Sequence, residues 1–470
     1  MTTRESVSAV NRFGLGAAPG QLARIGDPRA WLHAQLRGDG AQARFAGLPA
    51  SLDYVRREAD YYRERQAARR QGESAKDVAN FGQRFREDQL HEFGRRYQVA
   101  VASDQGFVER LVRFWSNHFA ISIDKRAAAL YAAPMEREAI RPHVLSNYAD
   151  LLLAVETHPG MLRYLDNVRS VGNDSPLAQR ARRRRARADG DAPKREPGLN
   201  ENLAREILEL HTLGVDGGYA QADVTELARA ITGWGVPTTR ELAAGRASSA
   251  FVFRAAAHEG GTRQVVGRRY AEGGLEQGRA ILADLAAHPS TARHLSYKLA
   301  RHFVGDTPPP ALVARLTAAW QRSNGDLPTV YAALIDAPEA WGEGARKFKT
   351  PDEFVVSALR ASGATPGDKP RALIALLARM GQPPFTPRSP AGYADEAAEW
   401  SGPDGLWKRV QAAQSLSESA PAARVDALAT ARELFADALD ADTAGALRRA
   451  ESPRDGLALL FASPAFQWRC

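Results

Sequence analysis

The chain has 470 residues and a mass of 51.1 kDa, and 44% of its residues are hydrophobic and 25% are charged. This balance is typical of globular proteins and excludes a wholly disordered or fibrous chain. The one cysteine, Cys470, allows no disulfide within the chain and no cysteine-based zinc or iron–sulfur site. The longest apolar runs, such as Leu151–Val155, are too short to cross a bilayer.

The N-terminal residues, Met1 to Ala30, lack the apolar stretch of a secretory signal peptide, so we expect a soluble, cytoplasmic protein. The net charge is +8, and the segment Gly172–Gly198 alone has eight basic and four acidic residues, which is half of that charge. The pI of 9.6 therefore does not by itself indicate nucleic-acid binding. We expect this segment to be a disordered insertion, either a solvated loop or an arm that contacts an acidic partner.

The hydrophobic pattern predicts a mainly α-helical protein, with one large helical domain over residues 1–470 and a central pocket. Apolar residues recur at three- and four-residue spacing in seven segments rich in good helix formers. These segments are Val144–Val155, Asn202–Leu213, Val224–Ile231, Gly278–Leu285, Ala292–Phe303, Ala311–Trp320 and Ala422–Ala438. Asp104 is a predicted N-cap for a further helix over Gln105–Phe119, and Gly214 is a predicted left-handed residue after Leu213.

One region predicts strands. Ala250–Phe253 and Gln264–Gly267 are short β-prone runs on either side of His258–Gly261, which is typical of a turn. We therefore expect one small β-hairpin on the helical body.

The first cluster that can carry chemistry is Phe114–Phe119, inside the predicted helix. Trp115 and His118 are three positions apart and therefore share a helical face. The pattern fits either a core helix with a hydrogen-bonded histidine or a site in which His118 titrates.

The second cluster is the segment that contains Asn202, Glu206 and Glu209, which fall along one helical face. If that face is buried, the carboxylates need arginines, a metal or other donors, so the cluster is either an ion-pair network or a site. His211 follows Glu206 by five positions and is predicted to lie off this face. The spacing differs from the Glu-x-x-His pattern of helix-bundle di-iron proteins.

The third cluster places Trp234 between Gly233 and Gly235, directly after a predicted helix. Glycines on both sides permit unusual backbone angles and the close approach of another group to the indole. The alternative is a packing tryptophan after a helix end. The sequence contains no phosphate-binding Walker motif, no His-Glu-x-x-His zinc helix and no Gly-x-Ser-x-Gly nucleophile turn.

Together these strings resemble a large bacterial family of domains of unknown function, DUF1800. The matching strings are Asn11–Gly16, Phe114–Phe119, Asn200–Gly214, Thr232–Gly235, His288–Ala292, Lys298–Phe303, Lys347–Pro351, Gly381–Phe385 and Ala462–Gln467. They run along nearly the whole chain, and Asp174–Glu196 stands out as an insertion.

The resemblance implies a mainly α-helical fold and brings no established activity. Members are often encoded beside a second family that carries export signals, which implies a protein partner and leaves export with that partner open. In the family pattern a histidine often stands where this chain has Ser116, so a metal ligand at that position would be missing here.

Among the functions that fit these clusters, we favour a redox enzyme, an oxidoreductase. Trp115 and Trp234 would be modified or cross-linked into a tryptophan-derived cofactor, which requires their rings to be in contact. His118 would transfer protons, and Glu206 or Glu209 would orient it or bind a metal.

In the same hypothesis, Asn202 and His211 would contact the cofactor. A metal-assisted hydrolase is the first alternative, with His118, Glu206, Glu209 and His211 as ligands. The second alternative is a non-enzymatic binding or maturation partner of the exported neighbour, with the arginine-rich segment as its contact. Nucleic-acid binding is the weakest expectation.

Overall fold

The computed structural model describes residues 4–38, 42–71, 80–187, 198–342, 344–421 and 426–469. Helices dominate these residues, and the strands form three small two-stranded sheets. The prediction of a mainly α-helical fold with a small hairpin is confirmed. Cys470 and the first residues of the predicted helix Ala422–Ala438 lie outside the described residues.

The helices follow one another in three groups along the chain. The first group is α1 (Arg4–Ser8), α2 (Pro28–Gln35), α3 (Ser51–Arg70), α4 (Phe81–Ala102), α5 (Gly106–His118), α6 (Ala132–Met135), α7 (Tyr148–Glu156) and α8 (Pro159–Tyr164). The second group is α9 (Pro176–Arg187), α10 (Asn202–Glu206), α11 (Gln221–Ala230), α12 (Thr239–Ala243), α13 (Leu275–Ala287), α14 (Pro289–Phe303), α15 (Pro310–Ser323) and α16 (Leu327–Asp336). The third group is α17 (Pro351–Ser362), α18 (Arg371–Arg379), α19 (Ala397–Trp400), α20 (Pro403–Glu418), α21 (Ala427–Phe435), α22 (Ala441–Arg448), α23 (Pro453–Ala462) and α24 (Pro464–Gln467).

Shorter elements join these helices. The strands are β1 (Trp234–Gly235), β2 (Val252–Phe253), β3 (Arg263–Val265), β4 (Arg268–Tyr270), β5 (Lys347–Phe348) and β6 (Trp468–Arg469). The π-helical turns are Ala9–Phe13, Glu136–Ile140 and Ile207–Thr212. The 3₁₀ turns are Leu22–Arg24, Gln42–Phe45, Arg141–His143, Asn167–Arg169, Pro338–Ala340 and Ala436–Ala438.

The ends of two helices near the site test the predicted caps. Gly214 has φ +86°, so the left-handed residue predicted there is confirmed. The prediction of Asp104 as an N-cap is wrong, because α5 begins at Gly106 and its N-cap position, Gln105, makes no side-chain bond. The side-chain oxygen of Gln35 accepts the N–H of Phe107 at 3.0 Å instead, so a distant residue satisfies this helix start.

The predicted strands form, but they pair differently. β2 pairs with β1, with Trp234 opposite Phe253, and β3 pairs with β4. Val266 and Gly267 join β3 to β4 in a two-residue turn with φ of +46° and +74°. Such a turn matches the twist of a hairpin and closes the shortest loop, which is why β3 pairs with the segment that follows it.

The arginine-rich segment is partly described. Pro176–Arg187 is an α-helix, so the predicted disorder is wrong for these residues, which are rich in the good helix formers arginine and alanine. The first turn of α9 attaches to the body where Ala178 packs with Val171 and Ala257. Residues 188–197 of the predicted insertion lie outside the described residues.

Two hydrophobic cores organise the described residues. The larger is formed mainly by α5, α7, α11 and α13–α16, and the smaller by α17, α20, α21 and α23 with the N-terminal segment. The smaller core is closed by β6, which pairs with β5 and brings the end of the chain beside α17. No helix in the described ranges is long and apolar enough to span a membrane.

Candidate functional site

A polar cleft of about 130 Å³ lies where helices of the two cores meet. It is lined by the C-terminal part of α5, one face of α14, the start of α17 and the irregular segment 382–395. The polar and charged lining residues are Arg96, Arg113, Ser116, Asn117, His118, Lys298, Arg301, His302, Thr350, Asp352, Glu353, Gln382, Tyr393 and Asp395.

A lysine and a histidine contact each other in this cleft. Nζ of Lys298 lies 3.0 Å from Nδ1 of His118. Among the described residues no carboxylate forms a salt bridge with Lys298. Nε2 of His118 faces the backbone oxygen of His211 at 3.3 Å and the hydroxyl of Tyr148 at 3.4 Å. This arrangement favours a proton on Nε2 and leaves Nδ1 as the acceptor for the lysine.

The surroundings disfavour charge on both groups. Burial, together with the nearby Arg301, lowers the pKa of the Lys298 ammonium to about 8. Burial, together with Lys298 itself, holds the pKa of His118 well below its ordinary value. His118 is therefore neutral near pH 7, and Lys298 loses its proton far more readily than an exposed lysine.

A second imidazole lines the same cleft one helical turn further along α14. Nδ1 of His302 lies 3.3 Å from both carboxylate oxygens of Asp395. Although burial alone raises the pKa of Asp395, His302 and Lys347 hold it below its usual range. Nε2 of His302 is buried and has no hydrogen-bond partner among the described residues.

One wall of the cleft is held by Asp352. Arg113 donates to this carboxylate, Arg96 lies 3.4 Å from it, and Tyr97 donates to it at 2.6 Å. Burial raises the pKa of Asp352, but the two arginines outweigh this effect and lower it to about 2. The two guanidinium groups are thereby held at the cleft surface by an ionised partner.

The facing wall is attached to the end of α5. The Asn117 amide donates to the backbone oxygen of Tyr393 at 2.9 Å and accepts its N–H at 2.8 Å. The preceding Gly392 has φ +84°, and a Cβ there would lie 2.3 Å from the backbone oxygen of Asn117. Only glycine fits this close approach.

Three residues predicted for the site lie in or beside the cleft. His118 lines it. Trp115 is buried, its ring centroid lies 5.3 Å from that of His118, and its indole N–H donates to the hydroxyl of Tyr331 at 2.6 Å. His211 has no exposed surface, and its Nδ1 lies 2.7 Å from Glu156, at the distance of an ion pair although not in hydrogen-bond alignment.

The structure does not bring the two predicted tryptophans together. Trp234 is buried against Phe251 and Gly278, and within the described residues no ring contact joins it to Trp115. A cross-link between these two indoles is therefore incompatible with the fold. The reason is topological, because Trp234 is fixed in β1 by its pairing with β2 rather than by α5.

The predicted acidic face is also outside the cleft. Glu206 and Glu209 are partly exposed, Glu209 accepts a hydrogen bond from Tyr219, and Asn202 is exposed. The regular helix predicted here changes at Ile207 into a π-helical turn. Positions five apart align in such a turn, and the nearby His211 partly offsets the rise in the pKa of Glu206 that burial causes. The prediction that His211 lies off the face of Glu206 is therefore wrong.

The metal hypothesis finds no ligand set. The described part of the chain holds no group of three histidine, cysteine or acidic side chains placed to bind one ion. His118, Glu206, Glu209 and His211 in particular do not converge on a common point, since His118 faces the cleft and the two glutamates do not line it.

Sequence reasoning missed Lys298, His302 and Asp395 as site residues. Lys298 and His302 stand four apart on α14, and His294 precedes Lys298 by four, so one helical face carries all three. A usable signal was the composition, because only eight of the 63 basic residues are lysines. Where a chain otherwise uses arginine, which stays protonated, a lysine inside an apolar helix pattern is informative.

The fold and the cleft define a large α-helical protein with an internal polar site. The chain belongs to the DUF1800 family, described as "Protein of unknown function (DUF1800)", whose pattern matches residues 8–468. No curated protein and no solved structure matches the chain. The resemblance of the motifs is confirmed, and the function has to be argued from the cleft.

Proposed function

We propose that the cleft is the active site of an enzyme in which Lys298 reacts as an amine with the carbonyl group of an organic substrate. The observation that carries the proposal is the position of the Lys298 amino group, without a carboxylate partner among the described residues and 3.0 Å from an acceptor nitrogen of His118. Desolvation and a neighbouring cation are the means by which proteins activate lysine nucleophiles.

The chemistry follows from the protonation states. An uncharged amine adds to a carbonyl carbon, whereas an ammonium cannot. The adduct loses one water and becomes an imine, so atoms balance without an oxidant or a reductant. Nδ1 of His118 accepts a proton from the attacking nitrogen and returns it to the departing hydroxyl group.

The arginines at the cleft favour a carbonyl compound that also carries a carboxylate. Arg113 and Arg301 line the cleft, and each has an Nε–H without a hydrogen-bond partner among the described residues. Planar guanidinium groups suit carboxylates, to which they donate two parallel hydrogen bonds. An oxo acid is therefore the substrate class that this proposal names.

The test is reductive trapping. Pyruvate and sodium cyanoborohydride are added to the full-length protein, and the modified lysine is located by peptide mass spectrometry. We expect one dominant adduct at Lys298 that the Lys298→Arg variant loses. Lys125→Arg is the matched control, because Lys125 forms a salt bridge with Asp166 at 2.7 Å. Equal adduct formation at exposed lysines and at Lys298 would contradict the proposal.

The redox hypothesis keeps one independent support. The rings of Trp115 and Tyr148 lie 5.3 Å apart and those of Tyr148 and Trp320 lie 5.1 Å apart, so three oxidisable side chains form a buried row beginning beside His118. This second candidate uses Trp115 without Trp234. It is tested by intact mass and absorption spectrum: a mass equal to that of the sequence, with ordinary aromatic absorption only, contradicts a tryptophan-derived cofactor.

The arginine-rich helix supports a role in partner binding beside either activity. α9 carries six arginines and no acidic residue. We propose that it contacts an acidic protein surface, including that of an exported neighbour, and that the protein is retained on a poly-glutamate column in low salt. Unchanged retention after deletion of residues 176–187 would exclude this contact.

A further inference from the structure

We infer that His302, oriented by Asp395, removes a proton from the carbon next to the imine carbon, so that the cleft converts an oxo-acid imine into an enamine. The inference rests on the proposed imine at Lys298 and adds a second step to it. It assigns a catalytic role to His302 and a positioning role to Asp395.

The helix places the two groups together. Lys298 and His302 are four residues apart on α14, which puts both side chains on the same face, and both line the cleft. The ring of Phe114 lies 5.2 Å from His302 and 6.4 Å from His118, so an imidazole stands on each side of this ring. An imine on Lys298 therefore has a separate imidazole on either side.

Asp395 determines which nitrogen of His302 carries the proton. Both of its oxygens lie 3.3 Å from Nδ1, so the Nδ1–H donates to the carboxylate. In the neutral ring the lone pair is then on Nε2, which is the nitrogen without a hydrogen-bond partner among the described residues. A buried, unpartnered basic nitrogen in a cleft is suited to take a proton from a substrate.

His118 is not available for this second transfer. Its Nδ1 contacts Lys298, and its Nε2 faces the backbone oxygen of His211. The two imidazoles consequently have different tasks: His118 serves the nitrogen of the imine, and His302 serves the carbon beside it.

The step balances within the imine. The bond between the α-carbon and its hydrogen breaks, the proton goes to Nε2 of His302, and the electron pair forms a carbon–carbon double bond. The electrons of the protonated carbon–nitrogen double bond move onto nitrogen, which gives a neutral enamine. The reverse step returns a proton, so in heavy water the substrate gains deuterium.

The experiment follows the methyl signal of pyruvate by proton NMR in heavy water containing the full-length protein. We expect the wild type to exchange these hydrogens and Lys298→Arg to lose the exchange. His302→Gln should slow exchange at least about 100-fold, the range of general-base catalysis, while reductive trapping at Lys298 stays at the wild-type level. His33→Asn is the matched control, because His33 contacts Asp336 outside the cleft at 2.7 Å.

Asp395→Asn tests the positioning role by a spectroscopic readout. Nitrogen NMR of the histidines should show the proton of His302 moving from Nδ1 to Nε2, and exchange should slow while thermal unfolding remains cooperative. An unchanged His302 tautomer would overturn the role of Asp395.

The outcomes separate the two proposals. Wild-type exchange by His302→Gln, or trapping by the wild type without exchange, would overturn the role of His302 and leave the imine intact. Absence of trapping in the wild type would overturn the proposed function as well.

Discussion

The amino group of Lys298 contacts Nδ1 of His118 at 3.0 Å although the two residues are 180 positions apart in the chain. The contact exists because α5 and α14 both contribute to the larger core and turn one polar position each towards the cleft. Two buried, nitrogen-bearing side chains without a carboxylate between them are costly to hold unless they serve a purpose.

His118→Asn should slow reductive trapping at Lys298 about 100-fold, because it removes the base that accepts the proton of the attacking amine. The trapping rate with pyruvate measures this effect. His143→Asn serves as the control, since the ring of His143 bonds the backbone oxygen of Ala139 outside the cleft. Equal rates for the two variants would remove His118 from the mechanism.

The protein should lose stability as the pH falls below 6.5. Burial, with Lys298 nearby, lowers the pKa of His294 from 6.5 to about 4, so the unfolded chain binds a proton first between these values. The favourable contribution of neutral His294 is therefore present above pH 6.5 and is lost on acidification. Urea unfolding across this range should show a shallower fall for His294→Gln, and an identical slope would contradict the assignment.

Trp115→Phe should destabilise the fold more than Trp234→Phe. Both indoles are buried, but the N–H of Trp115 donates to Tyr331, whereas the N–H of Trp234 has no partner among the described residues. The same loss of volume in both variants leaves the hydrogen bond as the difference, about 1–3 kcal/mol of unfolding free energy. Equal losses in chemical denaturation would show that this bond contributes nothing.

Gly392→Ala should open the wall of the cleft. The new Cβ would lie 2.3 Å from the backbone oxygen of Asn117, in a left-handed conformation that costs other residues about 1–3 kcal/mol. Gly363→Ala is the matched control, because Gly363 has φ +69° and nothing within 4 Å of a Cβ. We expect lower stability and slower trapping for Gly392→Ala than for Gly363→Ala, and the reverse order would contradict the described wall.

The part of the site that follows helical periodicity could be predicted from the sequence. Trp115 and His118 share a face and contact each other, as their three-residue spacing predicts. Gly214 likewise adopts the left-handed conformation that its position after a helix predicts.

The rest depended on long-range packing that local patterns do not encode. The string containing Lys298 and His302 was visible, but a lysine and a histidine four apart also occur on solvated helix faces. Their neighbour Asp395 comes from an irregular segment with no period to read. Trp234 was misassigned because strand pairing, which glycines alone do not predict, decides where its ring packs.

The central claim is that Lys298 is a free amine near neutral pH, and its titration tests this claim without any substrate. Competitive acylation by trace acetic anhydride, followed by peptide mass spectrometry, gives the reactivity of each lysine as a function of pH. The account predicts a midpoint for Lys298 near pH 8, while Lys369 and Lys408 on the surface serve as internal references. A midpoint at or above 10.5, the ordinary value for lysine, would contradict the account.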